Sequence, residues 1–312
     1  MQSAASGVVV TRIAAGSGSR AASMRVGFLG LGLIGGSIAR ALRVTGGDWW
    51  VGAWTLSGAG PREALAAGVI DGAFVDARAL IAESDVLVLA APPVACVALV
   101  ERLGGEWRGA LRTGATVTDV ASTKQALEAA ARRADLPWVG GHPMAGRETS
   151  GFGAADATLF HGRPWVVTSA LGGGNPAVVR ALALACGAVP VEIDAAAHDG
   201  LVAAISHLPL LTSVALVEAV AGSPGAATED WAAASALAAG GWRDTTRLAR
   251  GDTAMGAEIA VTNAGPIAAR LRAYRGAIDT WIALLETPGG PDAAVIRERM
   301  DAAKARLEHP GG

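Results

Sequence analysis

The sequence predicts an α/β N-terminal domain, built on a doubly wound parallel sheet, followed by an all-α C-terminal domain. Short apolar strands alternate with helical stretches as far as about residue 195, which is the pattern of a parallel sheet covered by helices. A glycine-rich turn follows the first of these strands. From residue 195 the strand patterns stop, and helical periodicity continues to about residue 308.

The predicted elements follow in chain order. The strands cover residues 25–29, 49–54, 85–91, 115–120, 138–141, 164–168 and 189–193, and the helices between them cover 34–43, 61–67, 94–103, 123–133 and 176–186. The C-terminal helices are expected at 197–220, 228–239, 244–250, 253–286 and 291–308. The domains are therefore predicted at 24–194 and 195–312. Residues 1–23 are expected to form a disordered leader, and Met24 could be the native start.

Composition excludes several classes of function. The 312 residues suit about two domains. A mean hydropathy of +0.37 raises the question of a membrane span, but the apolar stretches at 86–100 and 200–217 are interrupted by prolines and polar residues. A net charge of −2 without a basic cluster argues against nucleic acid. The leader lacks the apolar core of a signal peptide, so the chain is expected to be cytoplasmic.

The glycine-rich turn predicts a dinucleotide site. Gly30, Gly32 and Gly35 follow the first strand and open the first helix, with Leu33 and Ile34 between the last two glycines. The first glycine makes the tight turn, the second lets the backbone approach a pyrophosphate, and the third allows close helix–strand packing. The free N–H groups of the helix then face the phosphates. This is a Rossmann-like arrangement, and NAD or NADP is the predicted cofactor.

The choice between NAD and NADP stays open. An acidic residue at the end of the second strand binds the ribose hydroxyls in NAD-dependent relatives of this fold. Here Thr55 occupies that position, and the nearest basic residue is Arg62. Pro92, after a buried strand, is also predicted to lie against the cofactor.

A histidine is the candidate catalytic base. His142 is expected after a strand, at the sheet edge where ligands bind in open α/β sheets. Dehydrogenation of an alcohol requires a group that takes the hydroxyl proton, and an imidazole with a pKa near ~6.5 suits this role. The alternative is a hydrogen-bonded structural histidine.

Five segments resemble one enzyme family, the prephenate/arogenate (cyclohexadienyl) dehydrogenases. They are VGFLGLGLIGGSIARAL, VTDVASTK, GGHPMAGRETSGFGAA, HDGLVAAISHLP and GGWRDTTRLARGD, and together they cover about residues 25–285. The resemblance implies NAD(P)-dependent oxidative decarboxylation of prephenate to 4-hydroxyphenylpyruvate in tyrosine biosynthesis. The alternative within the family is arogenate, which gives tyrosine directly. The resemblance favours NAD and implies a homodimer formed through the helical domain.

The resemblance also implies roles for individual residues. His142 matches the residue that accepts the ring-hydroxyl proton, and Ser122 matches the one that orients hydroxyl and imidazole; Ser122 alternatively caps helix 123–133. Arg247 matches the carboxylate-binding arginine, which Asp244, three residues earlier, is expected to hold in position. Glu148 matches an acidic residue at the mouth of the site, with a solvated loop charge as the alternative.

The segment HDGLVAAISHLP carries further polar residues. His198 and Asp199 are interpreted as mainly structural, with Asp199 favouring the helix dipole. Ser206 and His207 are expected to face the substrate. Leu210 stands where a second histidine often follows the proline in the family, so prephenate and arogenate are not distinguished.

Two other classes of function fit the sequence less well. Two-domain dehydrogenases of β-hydroxy acids rely on a lysine of the helical domain, but residues 196–290 contain no lysine. A non-catalytic regulator that senses dinucleotides would have no need for His142, Ser122 and Arg247 together. Both readings are therefore less favoured than the dehydrogenase.

Overall fold

The computed structural model describes residues 11–12, 24–147, 149–223 and 226–308. The strands are β1 (Thr11–Arg12), β2 (Met24–Leu29), β3 (Trp49–Trp54), β4 (Gly72–Ala73), β5 (Val86–Leu89), β6 (Thr116–Asp119), β7 (Trp138–Val139), β8 (Gly141–Pro143), β9 (Pro164–Val167), β10 (Val189–Glu192), β11 (Gly222–Ser223) and β12 (Ala226–Ala227). The first helices are α1 (Leu33–Val44), α2 (Ala59–Ala66), α3 (Ala77–Glu83), α4 (Pro93–Gly104), α5 (Gln125–Arg133) and α6 (Pro176–Ala185). The later helices are α7 (Ala195–Val202), α8 (Leu208–Ala221), α9 (Trp231–Ala236), α10 (Gly240–Thr245), α11 (Thr253–Thr262), α12 (Ala264–Leu285) and α13 (Ala293–Glu308).

The N-terminal sheet is parallel and doubly wound, as predicted. Its six strands lie in the order β4-β3-β2-β5-β6-β7, so the chain starts in the middle and winds outward in both directions. Helices cover both faces. In β5, Val86 and Val88 pack into one hydrophobic cluster and Leu87 and Leu89 into the other. This explains why central strands read as continuous apolar runs.

A second sheet carries the candidate catalytic histidine, which the sequence pattern did not predict. Its order is β1-β10-β9-β8, with β9 and β10 parallel and both outer strands antiparallel. The single strand expected at 138–141 is wrong: β7 ends the first sheet, and β8, with His142, belongs to the second. β1, Thr11–Arg12, lies within the predicted leader and pairs with β10. The rest of the leader lies outside the described residues.

The helical segment begins with one long apolar stretch. α7 and α8 are joined by a π-helical turn, Ala203–His207, and together span Ala195–Ala221, within which an 18-residue window has a mean hydropathy of 1.9. By length and composition alone this stretch is long and apolar enough to cross a bilayer, and it contains the buried polar residues His198, Asp199 and His207. The helix expected over 253–286 is in fact two helices, separated at Asn263.

The chain forms two compact units, one through Ala264 and one from Gly265. The second unit contains most of α12 and all of α13. Within it, the Arg299 guanidinium lies 4.9 Å from the centroid of the Trp281 ring and donates a 3.4 Å hydrogen bond to the Ala277 carbonyl. Arg299 therefore joins these two helices through both its charge and its hydrogen-bonding capacity.

Candidate active site

The turn after β2 is tight and leaves the start of α1 without a side-chain cap among the described residues. Gly30 has φ +102°, and a Cβ there would lie 2.4 Å from the Ala90 carbonyl oxygen. A Cβ on Gly35 would lie 3.0 Å from the Gly30 carbonyl oxygen, whereas one on Gly32 would point into open space. Gly32 is the N-cap of α1, and no side chain of the described residues caps this helix start. Its first N–H groups, including those of Leu33 and Ile34, are thus available to an anion.

The adjacent strand ends also place polar groups at this edge. The Thr55 hydroxyl, after β3, accepts a 3.0 Å hydrogen bond from the Gly58 N–H, and Arg62 donates to the Ser57 carbonyl at 3.3 Å. The loop expected at the ribose therefore carries an arginine folded back over it. The Glu258 carboxylate of α11 accepts a 2.8 Å hydrogen bond from the Val94 N–H.

Val94, whose N–H donates to Glu258, lies two residues after Pro92, the N-cap of α4. Thr262, also on α11, contacts the Thr123 hydroxyl at 2.9 Å. The start of α4 and the segment after β6 are thereby tied to α11, the helix that ends beside the histidine network described below.

A buried ion pair fixes the backbone beside His142. Asp119 ends β6, and its carboxylate pairs with the Lys124 ammonium; both side chains are at most 1% exposed. The same carboxylate accepts hydrogen bonds from the N–H groups of Ala121, at 3.0 Å, and Gly141, at 3.1 Å. Asp119 thus joins the end of the parallel sheet to the residue before His142.

His142 belongs to a chain of two imidazoles and a carboxylate. Its Nδ1 lies 2.8 Å from His198 Nε2, and His198 Nδ1 lies 2.8 Å from Asp199 Oδ1. The two rings are nearly perpendicular, at 78°. His198 and Asp199 are buried, whereas His142 is half-buried. His142 Nε2 has no hydrogen-bond partner among the described residues and is not among their buried unsatisfied atoms, so it is open to a ligand.

Asp199 also caps α5, which changes the interpretation of Ser122. Its two carboxylate oxygens accept hydrogen bonds from the N–H groups of Lys124, at 2.8 Å, and Gln125, at 2.9 Å. The expected alternative role of Ser122 as the N-cap is wrong, because α5 begins at Gln125 after Lys124. Ser122 is half-buried, and its hydroxyl makes no hydrogen bond to the part of the chain that the structure describes.

Asn263 joins His207 to the same network. Its Nδ2 donates a 2.9 Å hydrogen bond to the Asp199 carbonyl and lies 3.1 Å from His207 Nδ1. Residues nine apart would point to opposite sides of an ideal helix, yet His198 and His207 are both buried. The π-helical turn between α7 and α8 changes the angular spacing of the two residues, and such turns are common at functional sites.

Burial and neighbouring charges shift the pKa values of these groups. Burial lowers the pKa of His142 well below its usual value, and His198, Lys124 and His207 reinforce that shift. Burial also lowers the pKa of His198, although the hydrogen bond to Asp199 opposes it. Burial alone would raise the pKa of Asp199, but its hydrogen bonds from His198 and two backbone N–H groups bring it below the usual value. His142 is therefore neutral, and Asp199 ionised, at neutral pH.

Asp119 is shifted in the other direction. Burial raises the pKa of its carboxyl group, and the Lys124 ammonium opposes that rise. Its two backbone hydrogen bonds act in the same direction as Lys124.

The buried His207 predicts that acid destabilises the fold. Burial lowers its pKa to about 4, while an unfolded histidine titrates near ~6.5. The unfolded chain therefore binds more protons between these values, so the stabilisation is complete above pH 6.5 and is lost as the pH falls toward 4. We expect His207 alone to lower the free energy of unfolding by about 2 kcal/mol between pH 7 and pH 5.

Chemical denaturation at both pH values tests this expectation, with His207→Gln as the comparison. The variant should lose less stability than the parent between pH 7 and 5, whatever its absolute stability. Equal losses in the two proteins would show that His207 titrates normally in the folded state.

The remaining predicted site residues are Arg247, Asp244, Ser206 and Glu148. Arg247 starts a 3-10 segment, Arg247–Arg250, which is held against α8 by a 3.1 Å hydrogen bond between the Ala249 N–H and the Ser213 hydroxyl. Asp244 lies in α10, is exposed, and forms no ion pair within the described ranges; Arg247 lies beyond the end of that helix, so the expected pairing on one helix face is not observed. Ser206 is exposed, unlike its neighbour His207. Glu148 lies outside the described residues.

Neither cysteine is a candidate nucleophile. Cys96 and Cys186 are both free and buried, and burial raises the pKa of each thiol to about 12. Within the described ranges, no group of three metal-ligating side chains is present.

The sequence pattern gives little indication of three residues of this site. It favours a structural role for His198 and Asp199, and nothing in their spacing indicates a contact with His142. Asn263 was placed inside a predicted helix, although asparagine has a low helix propensity and Gly265 and Pro266 follow it closely. Asn263, Gly265 and Pro266 therefore indicate a helix break, but they do not indicate which groups the Asn263 side chain contacts.

The N-terminal and C-terminal parts of the chain match models of the same protein family. The family model of the prephenate dehydrogenase nucleotide-binding domain matches residues 38–191, and that of the prephenate dehydrogenase dimerization domain matches residues 194–298. The prephenate dehydrogenase of Bacillus subtilis is 32% identical over 259 residues, which are 81% of this chain and 66% of that protein. The chain therefore spans just under two thirds of that relative's length.

Solved structures show the same architecture. The arogenate dehydrogenase of Synechocystis is 30% identical, with a TM-score of 0.75, and the match covers 91% of this chain and all of that one. The prephenate dehydrogenase of Aquifex aeolicus, solved with hydroxyphenyl propionate and NAD+, shares the fold with a TM-score of 0.77 at 23% identity, over 93% of this chain and 99% of that one.

Proposed function

The chain belongs to the prephenate dehydrogenase family, and we propose that it oxidatively decarboxylates prephenate, with NAD as hydride acceptor and His142 as the base. The observation that carries the proposal is that His142 Nε2 is accessible while the other ring nitrogen, Nδ1, lies 2.8 Å from His198 Nε2. Arogenate is the alternative substrate, because the structure of the 30% identical relative is that of an arogenate dehydrogenase.

The first task of the protein is binding. The turn at Gly30, Gly32 and Gly35 and the N–H groups of Leu33 and Ile34 would hold the pyrophosphate, with Thr55 at the ribose and Pro92 beside the nicotinamide. When bound, the nicotinamide supplies the acceptor for the hydride. Arg247 would bind a substrate carboxylate, since a guanidinium offers a permanent charge and two parallel hydrogen bonds. Ser122, whose hydroxyl is unused by the described residues, would orient the ring hydroxyl.

The second task is proton transfer. As hydride leaves the ring carbon, the hydroxyl proton passes to His142 Nε2 and a carbonyl forms. The bond to the ring carboxylate then breaks, CO2 leaves, and its electron pair makes the ring aromatic. The resulting phenolate takes the proton back from His142, because a phenol has a far higher pKa than an imidazolium. The reaction consequently releases no net proton.

A direct assay tests the proposal. Prephenate and arogenate are each supplied with NAD and with NADP, and the absorbance of the reduced cofactor is followed. We expect turnover with prephenate and NAD. Activity only with arogenate would assign the alternative substrate, and no activity in any of the four combinations would contradict the family activity for this chain.

The NADP arms of that assay address the ribose position. Thr55 carries no negative charge that would repel a 2′-phosphate, and Arg62 lies over the same turn. We propose that NADP is also accepted, with NAD preferred as the resemblance implies.

Arg247 is predicted to act mainly in substrate binding. Replacing Arg247 with alanine removes a charge-assisted bidentate contact, which is worth about 10- to 100-fold in affinity. We expect a rise of this size in KM for prephenate, with kcat and the KM for NAD little changed. Arg250, on the same 3-10 segment and also exposed, supplies the matched control: Arg250→Ala should leave KM unaltered. Unchanged kinetics in Arg247→Ala would refute the carboxylate role.

We further propose a homodimer formed through the helical domain. Residues 194–298 match a dimerization-domain model, and α8 has only one buried residue, Ser213, although it is apolar along its length. Exposed apolar side chains also include Ile205 and Val261, and large exposed apolar surfaces mark interaction sites. Light scattering at micromolar concentration should give twice the chain mass of 31.2 kDa; a monomer mass would refute the dimer.

A further inference from the structure

We infer that His198 and Asp199 are positioning residues that fix His142 in the tautomer whose Nε2 is unprotonated. Together with His142 they retain the transferred proton within the site until it returns to the product. The chemical role rests on the proposed function, whereas the tautomer follows from hydrogen-bond geometry. His198 and Asp199 touch no substrate atom in this scheme and act through His142.

The tautomers can be derived from the carboxylate outward. Ionised Asp199 can only accept hydrogen bonds, and its Oδ1 lies 2.8 Å from His198 Nδ1, so His198 carries its proton on Nδ1. The Nε2 of neutral His198 is then an acceptor, and it lies 2.8 Å from His142 Nδ1. His142 must therefore carry its own proton on Nδ1. Its Nε2 is left with a free lone pair, which is the form that a base requires.

The surroundings hold this direction in place. The Asp199 carboxylate accepts hydrogen bonds from the backbone N–H groups of Lys124 and Gln125, from the Gln125 side-chain amide and from His198, which fill its roughly four acceptor sites. Its own carbonyl accepts from Asn263 Nδ2, which fixes the Asn263 amide so that it also donates to His207 Nδ1. His207 consequently carries its proton on Nε2, the opposite tautomer from that of His142 and His198.

The charges around His142 favour a transferred proton that stays within the site and is not released to solvent. Lys124 is paired with Asp119, and His207 faces Asn263, so Asp199 is the anion to which the histidine chain leads. When His142 Nε2 gains a proton, positive charge can be shared with His198, whose Nδ1–H faces Asp199. Both His198 and Asp199 are at most 2% exposed, and the carboxylate offers no route onward. This matches a reaction in which the hydroxyl proton returns to the phenolate.

Nitrogen-15 NMR of the histidine rings tests the tautomers without any substrate. The chain has five histidines, so the signals can be assigned by single replacements in protein labelled at histidine. At pH 7 we expect His142 and His198 to be protonated at Nδ1 and His207 at Nε2. A His142 ring protonated at Nε2, or a rapidly exchanging mixture of tautomers, would overturn the inference.

Kinetics of two His198 variants test the role. His198→Leu removes the acceptor for the His142 Nδ1–H, and we expect kcat to fall by about 10²-fold with KM for NAD unchanged. The amide oxygen of His198→Gln can still accept that proton, so we expect it to recover at least tenfold of the lost rate and to retain the His142 tautomer. Equal loss in both variants, or no loss in either, would overturn the positioning role.

The exposed His161 provides the control, since His161→Gln should match the parent in both measurements. If the parent enzyme turned over no substrate, the proposed function would fail while the NMR result would still decide the tautomers. An active parent whose His142 is protonated at Nε2 would instead contradict only the inference.

Discussion

Replacing His142 with asparagine should lower kcat by about 10³-fold while the affinity for NAD is retained. The asparagine Nδ2 can still donate toward His198 Nε2, which lies 2.8 Å from the nitrogen that it replaces, so the local structure should persist. It has no basic nitrogen, however, and a positioned base contributes about 10²- to 10⁴-fold to rate. Turnover should be measured at saturating prephenate, and cofactor affinity by quenching of tryptophan fluorescence.

Two controls make this result specific. The His161→Gln variant, altered at an exposed histidine, should retain full activity, and circular dichroism should show that His142→Asn is folded. A variant that kept its kcat and changed only KM would show that His142 binds substrate without acting as the base. Loss of NAD affinity along with kcat would point to a collapsed site.

Replacing Lys124 with methionine should destabilise the fold by about 3–5 kcal/mol. The substitution leaves the Asp119 carboxylate in the interior without a counter-charge, and removal of one partner of a buried pair is strongly unfavourable. The remaining hydrogen bonds, from the N–H groups of Ala121 and Gly141, compensate only in part. Because Gly141 precedes His142, we also expect activity to fall. Urea denaturation at pH 7 measures the change in the free energy of unfolding.

The double variant separates charge from packing. Asp119→Asn combined with Lys124→Met leaves neither member of this pair charged and should recover more than half of the lost stability. Arg132→Met breaks an exposed ion pair with Glu128, in which the arginine is 66% exposed, and should change stability by about 0.5 kcal/mol or less. If Lys124→Met were no more destabilising than Arg132→Met, the buried pair would have little energetic importance.

The parallel sheet and the nucleotide turn could be predicted because their signals are local. β5 is a continuous apolar run since both of its faces are covered, and the glycines between β2 and α1 meet steric demands within a few residues. Ser122 and Arg247 are implied by the resemblance alone, whereas His142 is also a candidate from its position after a predicted strand, with a structural histidine as the alternative. Their roles remain proposals.

The network behind His142 could not be predicted, because its members are far apart in the chain. His142 and His198 are separated by 56 residues, and Asn263 lies 64 residues beyond Asp199. The single strand predicted at 138–141 divides between the two sheets, and His142 lies within β8 and not after a strand, since two or three residues of extended pattern do not identify their partner strand. The contacts of the Asn263 side chain are equally non-local, because they join it to the Asp199 carbonyl and the His207 imidazole.

The sequence by itself determined the alternation of strands and helices in the N-terminal part, the glycine-rich turn and the apolar character of the C-terminal helices. These properties depend on periodicity and on the steric requirements of single residues. Tertiary structure alone decided that Asp199 caps α5, that Asp119 and Lys124 pair in the interior, and that His198 lies behind His142. Hydrogen bonds of about 2.8 Å form only between groups that folding brings together, and no spacing along the chain records those contacts.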